Sequence, residues 1–428
     1  MPKRNGSSLR ILVSGLIAQH PSLAGVAWDY VQYVVGLKQL GHDVYYVEDS
    51  GQWPYSLDGG ATGRDWIVRD CKANIEHLDN VMRRWGLEER WAYHCPVESR
   101  WYGLSDIKRR EVVNSADLLL NISGSLCRPC HYRRIPRLAY IDSDPVFTQV
   151  KLKLKRGHKQ FQDRAAIHDV FFSFGERLSN WAIDTSYEWI PTRQPIVLSE
   201  WRPKTPSRTT FTTVMNWTSY RPLRYGGETY GQKDVEFRQF CELPRLVGNC
   251  SLEVAMANIH HANWETNPEL WPESLGSLLK SRPDWTPQEV LSACGWGVVD
   301  AGAVGKDLDS YRAYIESSMA ECSVAKNGYV TGQVGWFSCR SACYLAAGKP
   351  VVVQDTGFSD VLPSGEGILP FRTLEEAASA IESVQQKYDA HCAAASAIAA
   401  HYFDARKVLP ALLQTAVSDS RVIKSPGC

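Results

Sequence analysis

Side chains that can bind an anion follow a Gly-rich loop in the last third of the chain. The loop begins near Asn327 and leads to Ser338, which can cap a helix, and Arg340 stands in the first turn of that helix. N–H groups in the first turn of a helix have no acceptor within it, and the helix dipole adds positive potential. Ser338, Arg340 and Ser341 are therefore predicted to receive a phosphate group, with the guanidinium as a bidentate partner.

A second group of polar residues lies at the ends of predicted strands and the starts of predicted helices. Ligands of open parallel sheets bind beyond the carboxyl ends of the strands, so these positions are expected to converge on one edge. The candidates for the same anionic ligand are Asn216, Trp217, Lys233, Lys326, Asp355 and Thr356. For each, an ordinary loop position, a solvated lysine or, for Asp355, a turn cap is the alternative interpretation.

Three side chains in the first half of the chain could accept a proton. His20 and Asp29 belong to the long turn between the first predicted strand and helix, and Asp144 follows a later strand. Histidine has an ordinary pKa near neutrality, which makes His20 the better base of the first two. Asp29 could instead cap the helix or be stabilised by its dipole.

The elements that must position these residues alternate between strand and helix. Apolar runs predict strands at 9–14, 43–48, 117–121, 137–141, 169–174, 187–190, 209–215, 252–256, 297–299, 321–325 and 350–354. Helical patterns cover 26–40, 66–84, 235–240, 287–293, 308–319, 341–347, 373–387, 390–402 and 407–418. This alternation predicts an α/β fold with two doubly wound, Rossmann-like domains that face each other across a cleft.

Four proline residues and several basic residues mark a linker at 191–208. The predicted organisation is a first domain at 1–190, this linker, a second domain at 209–400, and a C-terminal helix at 401–428 that braces the first domain.

The composition excludes some classes of function. The chain has 428 residues and a formal net charge of zero, whereas a general nucleic-acid-binding protein needs a basic surplus. The short apolar run at 11–18 is broken by Ser14 and Gly15 and lacks a small-residue cleavage site, so it is interpreted as a first strand rather than a leader. No apolar stretch approaches the about 20 residues that a membrane span needs. The protein is therefore predicted to be cytoplasmic, without a transmembrane segment.

The twelve cysteines lack the spacing of a disulfide framework. They are expected to be mostly small buried hydrophobic residues with free thiols, as in a reducing cytosol. The string Cys127-Arg-Pro-Cys130-His131 matches redox and haem-attachment patterns, but it is interpreted as a chance occurrence. No second pair of ligands at zinc-site spacing is evident.

The segment from Asn327 to Phe358 is similar to a known family. Its Gly-rich loop, its helix, the run Gly348-Lys-Pro-Val-Val-Val353 and the turn Gln354-Asp-Thr-Gly357 resemble the donor-binding half of group 1-like nucleotide-sugar glycosyltransferases of the GT-B fold. The resemblance implies that the second domain binds a UDP- or dTDP-sugar and that the first binds an acceptor. It implies transfer of the sugar to that acceptor, with Asp355 and Thr356 on sugar hydroxyls.

The resemblance has one departure. Many retaining members carry two Glu separated by seven residues, and alignment on Gly348 places Gly335 and Cys343 at those positions. Both carboxylates are absent here, so Arg340, Ser341 or backbone groups would take their place. An Arg340→Ala substitution is expected to abolish donor binding and to leave the melting temperature nearly unchanged.

The resemblance also implies that no metal and no cofactor is needed beyond the nucleotide sugar. The sequence Asp142-Ser-Asp144 matches the metal motif of the other glycosyltransferase fold, but it lies in the acceptor domain, and a structural or acceptor-binding role is predicted. Two other functions stay open. One is a nucleotide-sugar epimerase, and the other is a nucleotide-binding scaffold or sensor without transferase activity.

Overall fold

The computed structural model describes residues 8–56, 67–154, 156–181, 183–257, 271–282 and 284–418. These residues divide into two units. The first unit holds the described residues up to Val197 together with those from Tyr402 onward, and the second runs from Leu198 to His401.

The first unit is built on an eight-stranded sheet with the order β4-β3-β2-β1-β5-β6-β7-β8. Neighbouring strands are parallel except for the antiparallel pair of β3 and β4 at one edge. The strands are β1 (Arg10–Ser14), β2 (Asp43–Glu48), β3 (Trp91–Cys95), β4 (Arg100–Gly103), β5 (Leu118–Ile122), β6 (Arg137–Asp142), β7 (Val170–Ser173) and β8 (Trp189–Pro191).

Strand β1 shows why these segments form a parallel sheet. Ile11, Leu12 and Val13 are all at most 2% exposed, although successive side chains of a strand point to opposite faces. Ile11 pairs with Val44 on one side and with Leu118 on the other, so β1 is central. A strand that is apolar on both faces needs cover on both, which the helices of the crossover connections supply. These helices are α1 (Ala24–Gln39), α2 (Lys72–Arg83), α3 (Asp106–Ser115), α4 (Phe147–Lys153) and α5 (Lys159–Ala165).

The second unit contains a six-stranded parallel sheet with the order β13-β12-β9-β14-β15-β16. Its strands are β9 (Thr210–Asn216), β12 (Ser251–Ala257), β13 (Gly297–Asp300), β14 (Ala320–Ser323), β15 (Val351–Gln354) and β16 (Ile368–Phe371), and a separate hairpin joins β10 (Leu223–Tyr225) to β11 (Glu228–Tyr230). The chain leaves β9 toward β12 on one side and later returns to β14 on the other. The switch point of this sheet therefore lies between β9 and β14, where ligands of doubly wound folds bind.

The helices of the second unit cover this sheet and connect its strands. They are α6 (Lys233–Phe237), α7 (Glu273–Ser281), α8 (Pro287–Ala293), α9 (Ala301–Val304), α10 (Leu308–Ser317), α11 (Asn327–Gly332), α12 (Cys339–Ala346), α13 (Leu374–Gln386) and α14 (Tyr388–Ile398), followed by a π-helical turn at Ala399–Phe403.

The last helix, α15 (Ala405–Ser418), belongs to the first unit and packs against α1. Gly36 of α1 permits this close approach, because a Cβ atom there would lie 2.6 Å from Leu409 Cδ1 and 3.0 Å from Ala405 Cβ. The N–H of Ala405 also donates to the carbonyl of Ile196 at 2.9 Å, which ties the start of the helix to the end of the first unit's main segment.

The predicted α/β fold class is confirmed, and the structure adds elements that the sequence did not predict. Strands β3, β4 and β16 were not predicted, and α11 occupies part of the supposed Gly-rich loop. Helix α11 reads Asn-Gly-Tyr-Val-Thr-Gly, a run of weak helix formers, so local propensity gave no signal for it. No helix in the described ranges combines the length and the apolar character that a membrane span needs.

Two cysteines differ from the expectation of free thiols. Cys71, just before α2, forms a disulfide with Cys95 in β3, and both residues are fully buried. The prediction of a free thiol is wrong for this pair. No other disulfide joins cysteines in the described part of the chain.

The disulfide is expected to stabilise the first unit, because it closes a segment between residues 24 positions apart in sequence. In a chain-entropy account, a crosslink of that span contributes about 3 kcal/mol. The double variant Cys71→Ala/Cys95→Ala should therefore lower the free energy of unfolding by about this amount in urea titrations. The matched variant Cys250→Ala should change it much less. Equal stability of the disulfide variant and the native protein would contradict the crosslink.

Candidate functional site

The start of helix α12 forms one wall of a pocket in the second unit. Ser338 is the N-cap residue, and its hydroxyl makes no capping bond within the described part of the chain. The enclosed part of the pocket is small, with a cavity volume of about 20 Å³, and the rest is open to solvent. It is lined by Lys233, Ser323, Val324, Ala325, Trp336, Phe337, Ser338, Arg340, Ser341, Val353, Gln354 and Phe358. Most of these residues follow β14, begin α12 or belong to β15, so the pocket adjoins the switch point of the sheet.

Lys233 is the first residue of α6 and is 8% exposed. Among the residues that the structure describes, its ammonium group has neither a hydrogen-bond acceptor nor a carboxylate within ion-pair distance. Burial lowers the pKa of Lys233 well below its usual value, the positive charges of Arg340 and Lys326 lower it further, and Glu321 opposes the shift. A buried charge without a partner is costly, so this pocket favours an anion.

The position of Lys233 is set by a network that joins α6, α11 and β15. The side chain of Asn327 accepts from the N–H of Gly231 at 2.8 Å and donates to Glu236 at 2.8 Å. Gln354 donates to the other Glu236 oxygen at 2.7 Å and accepts from the N–H of Ala325 at 3.0 Å. The first turn of α6 is therefore bonded to the loop after β14 and to the end of β15.

Arg340 points from the first turn of α12 toward the switch point. Its Nε donates to Glu321 at 2.6 Å, Nη1 to the carbonyl of Val214 at 2.6 Å and Nη2 to Ser323 at 2.5 Å. Glu321 is fully buried, whereas the Arg340 side chain is 13% exposed. The guanidinium thus joins β9 to β14, and two of its five N–H groups are not used in these bonds.

The structure brings together four of the predicted anion-site residues and places the others elsewhere. Lys233, Ser338, Arg340 and Ser341 all line the pocket. Trp217 is 1% exposed, and its ring lies in the core of the unit at 5.8 Å from Phe237. Its indole is therefore enclosed by apolar side chains rather than presented to a ligand.

Two more predicted residues lie at neighbouring loops outside the lining of the pocket. Lys326 precedes α11, with its Nζ 5.2 Å from the centre of the Tyr220 ring and 5.3 Å from that of Tyr329. Asn216 is the exposed last residue of β9.

Asp355 and Thr356 have structural partners in the loop after β15. The Asp355 carboxylate accepts from the N–H of Gly357 at 2.9 Å, from the hydroxyl of Ser359 at 2.9 Å and from Arg372 at 2.7 Å. The hydroxyl of Thr356 donates to the carbonyl of Trp336. The turn-cap interpretation therefore describes Asp355 in this structure, and a contact with sugar hydroxyls stays a prediction.

Several functional residues were missed by sequence reasoning. Glu321, Glu236 and Gln354 hold Arg340 and Lys233 in place, yet none was singled out from the sequence. The available signal was a lone acidic residue inside the apolar strand Ala320–Ser323, since a buried charge implies a partner.

In the first unit, His20 lies in the turn that follows β1. Glu48, the fully buried last residue of β2, fixes this turn by accepting from the N–H groups of Ala18 and Gln19, both at 2.8 Å. The hydroxyl of Tyr46 donates to the same carboxylate at 2.7 Å. Burial raises the pKa of Glu48 to about 7. Burial lowers the pKa of His20 to about 4, with a smaller contribution from His77, so the ring is neutral near pH 7.

The other two proton-acceptor candidates have different surroundings. Asp29 lies in the second turn of α1, whose N-cap residue is Leu23, so the capping role proposed for Asp29 is wrong. Asp144 follows β6 and precedes α4, and its carbonyl accepts from the N–H of Thr148 at 3.1 Å.

Asp142, the other acid of the Asp-Ser-Asp sequence, has a structural role. It is 1% exposed and accepts from Thr148 at 2.7 Å, Gln149 at 2.9 Å and Ser173 at 2.8 Å. These three donors connect β6, β7 and α4 through one carboxylate, as the structural interpretation of this sequence predicted.

Three side-chain atoms around the His20 turn are buried without a hydrogen-bond partner among the described residues: Gln19 Oε1, His20 Nδ1 and Asn74 Oδ1. Each such atom costs about 1–3 kcal/mol when nothing satisfies it. Nineteen such atoms occur among the described residues, so these three do not by themselves mark a ligand site.

Comparison with known proteins shows the fold. No family model and no curated protein matches the sequence. An α-glucosyltransferase solved with UDP and a mismatched 13-mer DNA matches with a TM-score of 0.56 and 12% identity, over 96% of this chain and 100% of its own. HepE of Anabaena, solved with UDP and glucose, matches with a TM-score of 0.54 and 10% identity, over 96% of this chain and 100% of its own. Sucrose-phosphate synthase of Thermosynechococcus elongatus matches with a TM-score of 0.52 and 11% identity, over 95% of this chain and 98% of its own.

The chain has the GT-B fold.

Within this GT-B chain, the two positions that carry acids in many retaining enzymes have structural roles. Cys343 is 2% exposed in the buried face of α12. Gly335 has a φ of +80°, a region that favours glycine, and its N–H donates to the carbonyl of Thr356 at 2.9 Å. Neither position could take a glutamate without disturbing the loop or the core.

The Arg340–Glu321 pair corrects the expectation that Arg340→Ala leaves stability unchanged. Removal of the guanidinium leaves a fully buried carboxylate without its partner, which typically costs about 3–5 kcal/mol. We expect the free energy of unfolding to fall by that amount in urea titrations. The double variant Arg340→Met/Glu321→Gln should recover most of it, because no unpaired charge remains. A single variant within about 1 kcal/mol of the native protein would contradict this role of the pair.

Proposed function

We propose that this protein is a glycosyltransferase that binds a UDP- or dTDP-sugar by its diphosphate in the pocket of the second unit. The sugar then passes to a hydroxyl group of an acceptor bound by the first unit. The observation that carries this proposal is the buried ammonium of Lys233 beside the uncapped start of α12.

The charges around the pocket favour a diphosphate over a neutral ligand. Arg340 and Glu321 form an ion pair, whereas Lys233 has no carboxylate at ion-pair distance among the described residues and interacts with Glu321 only from further away. The dipole of α12 adds positive potential at Ser338, where backbone N–H groups are open to a ligand. A diphosphate supplies the missing negative charge and hydrogen-bond acceptors for these groups.

The proposed reaction follows from these positions. The acceptor oxygen forms a bond to the anomeric carbon of the donor, and the bond between that carbon and the diphosphate oxygen breaks. The bonding electrons leave with the diphosphate, whose growing negative charge Lys233 and α12 stabilise. The proton of the acceptor hydroxyl passes to His20, which is neutral near pH 7. Fixed positive groups of the protein thus supply the charge stabilisation, and we propose a metal-independent reaction.

The structural neighbours support the choice of nucleotide. The α-glucosyltransferase and HepE were both solved with UDP, and the glucosyltransferase also with DNA. UDP is therefore the first ligand to test. DNA belongs in the panel of acceptors together with sugars and small alcohols.

A nucleotide-binding protein without transferase activity is the second candidate, which the absence of acids at Gly335 and Cys343 favours. The two functions differ in turnover. Nucleotide binding without sugar transfer, hydrolysis or epimerisation across a panel of donors and acceptors would favour the second candidate.

Lys233 allows a test in which binding and stability change in opposite directions. Lys233→Met removes an unpaired buried charge at similar volume, so the free energy of unfolding should stay the same or rise. UDP affinity should fall about 10- to 100-fold in calorimetry, because a charge-assisted hydrogen bond to phosphate is lost. Lys280→Met, at an exposed position of α7, is the matched control. Native UDP affinity in Lys233→Met would remove the proposed site.

The role of His20 predicts the pH dependence of the reaction. A base accepts a proton only in its deprotonated form, so kcat/KM should fall as the pH drops through about 4, the pKa of His20. An ordinary histidine would give this loss near pH 6.5. In His20→Ala the pH profile of kcat/KM should no longer show the loss near pH 4, while UDP affinity stays unchanged. A loss of activity centred near pH 7 would contradict His20 and point to Glu48, whose pKa is about 7.

A further inference from the structure

We propose that the first unit has a second ligand site, between its edge strand β8 and the last helix α15, for a small amphipathic carboxylate such as a medium-chain fatty acid. A cavity of about 360 Å³ opens there, and all the residues that line it belong to the first unit. Pockets that bind small molecules commonly measure about 300–1,000 Å³. The site does not rest on the proposed function, because it shares no residue with the diphosphate pocket.

Two strands at the edge of the sheet form the floor of this cavity. Phe172 of β7 pairs in register with Ile190 of β8, so the two side chains lie on the same face of the sheet. Phe172 is 1% exposed, whereas Ile190 and the following Pro191 are more open. Strand β8 has three residues, and within the described ranges no further strand extends the sheet beyond it.

Helix α15 forms the wall of the cavity. Four of its residues share one face at helical spacing and line the open space: Val408, Ala411, Leu412 and Thr415. On an adjacent face, Leu409 lies where Gly36 permits the close approach of α1. The helix is therefore held by α1 while a largely apolar strip of it borders the cavity. A ligand with an apolar body would remove this strip and the floor from water, which is favourable.

Charged residues line the cavity where β7 and β8 end and α15 begins. The carboxylate of Glu176 accepts from Nε of Arg193 at 2.6 Å and from Nη2 at 2.7 Å, so both of its oxygens are bonded. The same guanidinium lies 5.0 Å from the centre of the Tyr402 ring. Lys407 in the first turn of α15 also lines the cavity, and in the described part of the chain its ammonium has no carboxylate at ion-pair distance.

This arrangement of charge favours an anion over a cation. The acid of the cavity is already paired with Arg193, and Asp404, whose charge acts on Lys407 from further away, pairs with Arg406 at 2.7 Å. Lys407 therefore offers a positive charge to a ligand, and a carboxylate is a strong acceptor for an ammonium group.

The size and lining of the cavity define the rest of the ligand. A volume of about 360 Å³ would hold about a dozen water molecules at about 30 Å³ each, so an apolar body of about ten carbon atoms with one carboxylate fits. A nucleotide sugar has no such apolar body and would leave the floor and the wall uncovered.

The first part of the test compares decanoate with probes that each lack one of its features. The neutral 1-decanol lacks the charge, decylammonium reverses it, and acetate lacks the apolar body. Calorimetry would measure the binding of each probe to the full-length protein, below the concentration at which the probe forms micelles.

The second part uses two pairs of variants. Ala411→Phe fills the cavity from its wall, and Gln414→Phe places the same ring at an exposed position of α15 outside the lining. Lys407→Met removes the charge, and Lys72→Met at an exposed position of α2 is its control. The UDP affinity of each variant would be measured in parallel, together with its melting temperature.

We expect decanoate to bind the native protein at a one-to-one ratio, about 3- to 10-fold more tightly than 1-decanol, as one partly exposed charge interaction contributes. Decylammonium should bind more weakly still, and acetate should not bind. Lys407→Met should lower the affinity for decanoate to that for 1-decanol, and Ala411→Phe should abolish the binding of both. Gln414→Phe and Lys72→Met should bind as the native protein does, and UDP affinity should be unchanged in all four variants.

The proposal is overturned if decanoate does not bind the native protein, or if 1-decanol or decylammonium binds as tightly. It is also overturned if Ala411→Phe binds decanoate as Gln414→Phe does. If Ala411→Phe does not fold, Lys407→Met decides, because an unchanged ratio of decanoate to 1-decanol affinity in that variant contradicts the site. A protein that binds decanoate but no UDP contradicts the proposed function alone.

Discussion

The ammonium of Lys233 is buried at the pocket of the second unit with no carboxylate at ion-pair distance among the described residues. Arg340 is matched by Glu321, and the acidic Glu236 is bonded by the amides of Asn327 and Gln354, so Lys233 receives no carboxylate from the described residues. An unpaired buried charge raises the free energy of the folded state, and a bound anion would remove part of this unfavourable energy. The network that joins α6, α11 and β15 holds the ammonium beside the start of α12, and the GT-B fold places both next to the switch point of the sheet.

The first unit carries the candidate base of the proposed reaction. Its turn after β1 is fixed by the buried carboxylate of Glu48 and carries His20, whose ring is neutral near pH 7. The proposed reaction uses two features, the buried ammonium beside the start of α12 in the second unit and the neutral imidazole of His20 in the first. The disulfide between Cys71 and Cys95 adds a constraint just before α2, the helix that carries Asn74.

Much of this architecture could be predicted from the sequence, because continuous apolar runs and strand-end positions are local signals. The rule that ligands bind beyond strand ends identified Lys233, Ser338, Arg340 and Ser341, which line one pocket. The same rule could not distinguish Trp217, which points into the core, from a residue that faces a ligand. The partners of Arg340 and Asp355 were also out of reach, since Glu321 and Arg372 come from other elements and meet them only after folding. Helix α11 and the disulfide depend on tertiary packing for the same reason.

The measurement that tests the central claim most directly is the titration of the Lys233 ammonium by NMR, with lysine labelled at Cε and Nζ and the signal assigned through Lys233→Met. The account predicts that Lys233 titrates well below 10.5, the ordinary lysine pKa, in the free protein. It also predicts that UDP raises this pKa, because a bound diphosphate stabilises the protonated form. If Lys233 has an ordinary pKa in the free protein and saturating UDP does not change it, the claim that Lys233 binds the diphosphate is contradicted.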